Sequence, residues 1–266
     1  MLKLQVLVAT MHLADLGELY QRMHLKTDAI FINQDNTVDY KRITISGADV
    51  ECYTFHERGL SKSRNNALMR STGDIVCIAD DDMVFSDTYE EDILNEFEKH
   101  PEADAIVFNV DSTVKSREAR RIESFARVGL MESREYGSVH IAFRRKAVQS
   151  RNVYFNILFG SGAVYSCGED TIFLKDLLTK GLKLYKSPIN IGIVDMSESS
   201  WFKGYDEKYF FNKGALIAYM YPVVSNLLIL IQSFRNAKKL LGSYSLFTKL
   251  LKWYSAGIRD YMQRFK

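Results

Sequence analysis

Three consecutive aspartates, Asp80, Asp81 and Asp82, end a short apolar run, Ile75–Ala79. The run is rich in β-branched residues and follows Gly73-Asp74, which is the pattern of a buried strand. Adjacent carboxylates at the end of such a strand repel one another and are costly to desolvate. A divalent cation holding a diphosphate would relieve both costs, because hard oxygen ligands suit Mg2+ or Mn2+. A solvated acidic turn is the plain alternative. The preceding segment, Gly59–Gly73 (GLSKSRNNALMRSTG), favours the cation. Ser61 or Ser63 can cap a helix that runs to a stop at Gly73. Lys62 and Arg64 stand at the start of that helix, where backbone N–H groups also favour anions. Groups that hold phosphates and groups that hold a metal thus fall within one supersecondary unit.

In this arrangement the chain resembles the family 2 glycosyltransferases, whose nucleotide-sugar-binding fold is called GT-A. That family carries a basic residue and Arg-Asn on a helix, then Gly-Asp or Gly-Glu, an apolar strand and Asp-x-Asp. Here these are Lys62, Arg64-Asn65, Gly73-Asp74, Ile75–Ala79 and Asp80-x-Asp82. Leu4–Thr10 resembles the opening strand of the fold and Ala29–Asn33 its second strand. An acidic residue just beyond the second strand receives the base in the family. Asn33-Gln34-Asp35-Asn36 stands here in place of Asp-Asp-Gly-Ser. An amide can also pair with a pyrimidine edge, so Gln34 and Asp35 are both candidates. Gly168-Glu169-Asp170, ahead of a helical pattern that stops at Gly181, resembles the family's Glu-Asp motif, whose aspartate is the catalytic base. Ser200–Tyr205 (SWFKGY) is similar to stretches in bacterial surface-polysaccharide glycosyltransferases. The likeness spans about Leu4 to Phe211.

The resemblance implies an inverting, metal-dependent hexosyltransferase using a UDP-sugar or another nucleotide-sugar donor. Asp82 would bind Mn2+ or Mg2+, and Asp80 the metal or the ribose, with Asp81 assisting either. Thr10, Gln34, Asp35, Lys62 and Arg64 complete the expected donor site. Asp170 would take the proton of the acceptor hydroxyl, and Glu169 would orient the site or bind the sugar. Trp201 could stack on a sugar face. Asp195 and Glu198 are candidate third metal ligands, since no histidine follows Asp170. Plainer roles exist: Asp170 as the cap of a helix beginning near Thr171, and Arg64 as a solvated helix residue.

The elements that must position these groups read as an α/β fold. The expectation is a GT-A (Rossmann-like) mixed, mostly parallel sheet flanked by helices over 1–211, with a helical C-terminal extension over 212–266. Ligands in such sheets bind beyond the carboxyl ends of the strands, where Asp35 and Asp80–Asp82 fall. With 266 residues, 47% of them hydrophobic and only three prolines, the chain can bury a substantial core. Cys52, Cys77 and Cys167 are too far apart for a zinc motif and suit a reducing compartment. Met1–Met11 carries no signal-peptide pattern.

The net charge of +2 hides an asymmetry, because Ser233–Lys266 holds eight Lys or Arg and only Asp260. Phe247, Leu250, Leu251, Tyr254 and Ile258 share one helical face in that stretch. A basic amphipathic helix of this kind reads as a membrane-surface anchor, or else as a helix packed on its own core or on a second subunit. The body is acidic, which disfavours nucleic acid as a partner. Ala215–Ile231 is nearly free of charge but is interrupted by Pro222, and reads as two helical pieces and not as a span. The expected acceptor is a saccharide or polyprenyl-linked molecule. The expected location is cytoplasmic, on the inner face of the cell membrane, with a homo-oligomer as a further expectation. A nucleotidyltransferase is disfavoured because Ala9–His12 lacks a Gly-rich basic loop; a non-catalytic partner subunit is the other alternative.

Overall fold

A computed structural model describes residues 2–114, 120–195 and 204–265. The first apolar runs become strands β1 (Leu4–Met11) and β2 (Asp28–Gln34), with α1 (Leu16–Arg22) between them. A hairpin follows, β3 (Asp39–Ile45) and β4 (Ala48–Phe55). Its two-residue turn uses Ser46 and Gly47, both at positive φ, which matches the twist of paired strands. Next come α2 (Leu60–Arg70), β5 (Ile75–Asp80), β6 (Met83–Phe85), α3 (Tyr89–Lys99) and β7 (Ala105–Ser112). The remainder is β8 (Ala126–Arg127), β9 (Ile141–Arg144), α4 (Arg145–Ser150), α5 (Glu169–Thr179), β10 (Leu184–Val194), α6 (Glu207–Met220), α7 (Ser225–Leu241) and α8 (Phe247–Phe265).

The ten strands of the described residues form one sheet in the order β3-β4-β2-β1-β5-β9-β7-β10-β6, with β8 on β10. Strands β4, β2, β1, β5, β7 and β10 share one direction, while β3, β9, β6 and β8 run against them. The architecture is therefore the mixed, mostly parallel sheet that was expected. Side chains alternate between two buried layers, as the pleat requires. Val6 and Val8 of β1 join α1 and α3 through Leu16, Tyr20, Ile93 and Phe97. Leu7 joins the opposite layer with Leu68 of α2, Val148 of α4 and Phe173 and Leu177 of α5.

The chain divides into two units. The first is this sheet with α1–α5. The second takes Leu158–Gly168 together with α6, α7 and α8. The boundary expected at 211/212 falls inside α6, which begins at Glu207 behind the Asp206 cap. Within that unit, α6 and α8 approach closely at Gly214 and Gly257. A Cβ on Gly214 would stand 2.1 Å from the Tyr254 carbonyl oxygen, and one on Gly257 1.9 Å from that of Phe211. Only glycine permits this crossing. The apolar run Ala215–Ile231 breaks at Tyr221-Pro222 into α6 and α7, as the proline predicts. No helix among the described residues is long and apolar enough to cross a membrane.

Of the two readings of the α8 stripe, a membrane face or a helix packed on its own core, the packing selects the second. Leu250, Tyr254 and Ile258 are buried in the core of the helical unit, and Trp253 stacks on Phe210. Burying this stripe inside the unit removes more apolar surface from water than leaving it open would.

Candidate active site

The site is built where β1, β2 and β5 end. Gln34, the last residue of β2, is 3% exposed and spends its amide on the chain itself. Its Oε1 accepts from the Gly59 N–H (3.1 Å), and its Nε2 donates to the Gly59 carbonyl (2.9 Å). This clamp sets where α2 begins. Gly59 is the N-cap at φ 128, and its carbonyl accepts from the N–H groups of Lys62 and Ser63. The helix therefore starts ahead of Ser61 and Ser63, and neither of them caps it. It ends at Ser71, short of Gly73, where Gln5 Oε1 takes the N–H groups of Thr72 and Gly73. The expectation that Gln34 pairs with a base is corrected in the same way, since both ends of its amide are engaged with Gly59.

Starting the helix at Leu60 aims Arg64 inward. The side chain is 3% exposed and gathers three carboxylates from two other elements. Its Nη2 lies 3.0 and 3.1 Å from the two oxygens of Asp80 at the end of β5. Its Nη1 lies 3.0 Å from Asp170 Oδ1 and 3.5 Å from Glu169 Oε1, both in the first turn of α5. Burial works against the guanidinium charge, but Asp80, Asp170 and Glu169 together hold it above its ordinary range. Asn65 completes the frame. Its amide exchanges two 2.8 Å hydrogen bonds with the backbone of Phe155. The Phe155 ring stacks on Phe173 of α5 and lies under Arg64, 5.3 Å from the guanidinium carbon. The Arg-Asn pair thus fixes both the charge and the wall of the site.

One cation does not neutralise three acids. Burial and then Asp170 push the Glu169 carboxyl up, against the pull of Arg64. Burial likewise raises Asp80, again opposed by Arg64. Asp170 keeps Oδ1 on Arg64, while Oδ2 faces Gly137. A Cβ on Gly137 would sit 3.6 Å from Asp170 Oδ2 and 3.8 Å from His140 Cδ2. His140 donates through Nδ1 to the Phe108 carbonyl (2.9 Å), which leaves Nε2 as an acceptor, and burial lowers its pKa. His140 and Tyr136 also line a cavity of about 390 Å³ with Asn109, Asp111 and Arg121. Gly137 and His140 were not legible as site residues, because nothing local in sequence ties them to Asp170.

The other two aspartates are held differently. Asp81 Oδ2 accepts a 2.5 Å hydrogen bond from Thr10 Oγ1 at the end of β1. Asp82 opens to solvent at the lip of the site. Even so, desolvation by the surrounding protein, and then Asp80, Asp81 and Asp195, push its carboxyl up to about 7. The Asp82 carbonyl accepts from the Asp195 N–H (3.0 Å), which brings the end of β10 beside it. Neither Asp81 nor Asp82 has an ion pair among the described residues, and the same is true of Lys62. Asp35 lies on the exposed rim, where Asn36 N–H, His12 and Arg58 hold its carboxyl below the usual range. Trp201, Phe202 and Glu198 lie outside the described residues.

The donor set around Asp82 consists of hard carboxylate oxygens, the kind that Mg2+ and Mn2+ prefer. Among the described residues no three side chains of His, Cys, Asp or Glu are arranged to enclose a metal by themselves. That count suits an ion held by one or two carboxylates, with substrate phosphates and water filling the rest.

Residues 19–167 match the family model described as glycosyl transferase family 2, more than half of the chain. No curated protein matches the sequence. Among solved structures, residues 1–349 of S. aureus TarS in complex with UDP-GlcNAc are similar at a TM-score of 0.60 and 13% identity, covering 98% of this chain and 92% of that one. The mannosyltransferase PcManGT from Pyrobaculum calidifontis, in complex with GDP-Man and Mn2+, is similar at 0.58 and 12%, covering 100% and 88%. At these identities the likeness is one of fold. A GT-A-like sheet, the carboxylates at its strand ends and a family match across the segment that carries Arg64 and Asp80–Asp82 lead to one conclusion: the chain belongs to glycosyl transferase family 2.

Proposed function

We propose that the chain is an inverting glycosyltransferase that takes a sugar from a nucleoside diphosphate, read here as a UDP-sugar. The sugar passes to a hydroxyl of a saccharide or lipid-linked acceptor in surface-polysaccharide synthesis. The observation that carries this reading is the Arg64 knot, which ties a donor-side acid, Asp80, to an acceptor-side acid, Asp170. Both carboxylates are held by one guanidinium, so their separation is fixed before substrate arrives. The UDP-GlcNAc in the TarS complex supports a nucleotide-sugar donor, and the Mn2+ in the mannosyltransferase complex supports a divalent ion.

In this reading Asp82, with Asp80 and Asp195 near it, would hold Mn2+ or Mg2+. When bound, such an ion would offset the negative charge of the leaving diphosphate. Lys62, which has no ion pair among the described residues, would meet the same charge from the start of α2. Thr10 keeps Asp81 turned by its hydrogen bond, and Asp35 on the rim is the group left to meet the base. On the other side, Asp170 Oδ2 is the oxygen not bound by Arg64. It accepts the proton as the acceptor hydroxyl approaches past Gly137 from the cavity beside His140. Attack from the side opposite the diphosphate inverts the anomeric centre.

A panel of nucleotide sugars, scored for hydrolysis and for thermal stabilisation with and without Mn2+, tests the donor. Replacing the base, Asp170→Asn, keeps size and hydrogen bonding and should lower transfer by about 10²–10⁴-fold while donor binding persists. Near-normal turnover in that variant would mean that the proton leaves by another route.

A further inference from the structure

We infer that the outward face of α7 is a docking surface for an anionic lipid bilayer. This helix buries one side, Ser225, Ile229, Ser233 and Ala237, at a strict spacing of four. The opposite side should then be polar, and in its first three turns it is not. Leu227, Leu230, Ile231 and Phe234 fall at helical spacing and are 58%, 46%, 49% and 56% exposed; Val223, just ahead of the helix, is 96% exposed. A contiguous apolar stripe of this kind on a surface marks an interaction site.

The charge on the same face identifies the occupant. Arg235, Lys238 and Lys239 continue the exposed side in the last two turns. The helix sequence, SNLLILIQSFRNAKKLL, contains no Asp or Glu. A second copy packed α7 against α7 would have to bury three cations from each side with no carboxylate between them. An anionic membrane surface accepts both halves, because acyl chains take the apolar stripe and headgroups take the cations. Tyr244 marks the boundary between them. Its ring stacks on Phe234 at 4.8 Å and carries Lys238 Nζ at 6.0 Å, and it is itself exposed. An amphipathic ring between an apolar and a charged group suits the headgroup level. The sequence pattern pointed to a membrane face on α8; the packing moves it to α7.

Vesicle sedimentation with the full chain tests this. The chain should bind vesicles of phosphatidylcholine mixed with phosphatidylglycerol and be weakened by salt, and it should bind phosphatidylcholine alone much less. Lys238→Gln and Lys239→Gln should each lose about fivefold in affinity for the mixed vesicles. The pair Leu230→Asn and Phe234→Asn should lose at least about tenfold. These side chains are half exposed, so the melting temperature of the variants should stay near that of the parent. Failure of the full chain to bind the mixed vesicles would overturn the proposal, as would variants that bind as tightly as the parent. A dimer dissolved by Leu230→Asn and Phe234→Asn, with no vesicle binding, would assign the face to a second copy instead.

Discussion

The two groups of acids at the carboxyl end of the sheet are built on opposite principles. Asp80, Glu169 and Asp170 surround Arg64, a cation supplied by the chain and buried with them. Asp81 and Asp82, the next residues along, have no ion pair among the described residues, and Asp82 opens to solvent. The first group is closed and positional, since its charge is largely spent in holding α2, β5 and α5 together. The second has no such cation among the described residues, which is what the proposed metal site requires of it. Adjacent residues of one Asp triplet thus differ in setting: Asp80 is tied to the buried Arg64, and Asp82 is open to solvent.

The contrast is broken most strongly at Arg64. Replacing it in the variant Arg64→Met leaves three carboxylates without their cation in a buried site. Removing one partner of a buried pair costs about 3–5 kcal/mol. The expected result is a loss of that order in chemical denaturation, with activity lost as well. A variant as stable as the parent would mean that the knot is not what joins these elements.

A smaller effect shows where the closed group falls short. Arg64 holds Asp80 and Asp170 at 3.0 Å but Glu169 only at 3.5 Å, and the Glu169 carboxyl is pushed up from its ordinary 4.5 by burial and by Asp170. The folded chain therefore keeps a proton that the unfolded chain has released. This contribution to stability is present below pH 4.5 and is lost as pH rises through the raised value. Glu169→Gln should be more stable than the parent at pH 8, by about 1 kcal/mol, and indistinguishable from it near pH 4. Thermal melts across that range check the sign, and a variant that is less stable at pH 8 would show that the ion pair outweighs the burial cost.

The parts of this arrangement differed in how well the sequence revealed them. The buried strands β1, β2 and β5 were readable because continuous apolar runs admit few alternatives. The end of β5 was readable because three aspartates after an apolar run mark where a buried strand stops. The β3–β4 hairpin was not anticipated, although Ser46-Gly47 between alternating strands carried its signal. The pairing of Arg64 with Asp170 could not be read at all, since Asp170 lies 106 positions away and only the fold brings them together. Gln34 shows the opposite error, where a residue type suited to a ligand is used to clamp a loop. The α8 stripe shows that an amphipathic pattern reveals an apolar face without saying what covers it.

Whether the open group takes an external cation is measured most directly by calorimetry of UDP binding, in Mn2+ and in EDTA, for the parent and for Asp82→Ala. The expected result is tight binding by the parent in Mn2+, weak binding in EDTA, and the same weak binding by Asp82→Ala under both conditions. Equal UDP affinity of the parent with Mn2+ and with EDTA would contradict the assignment of Asp82 to a metal.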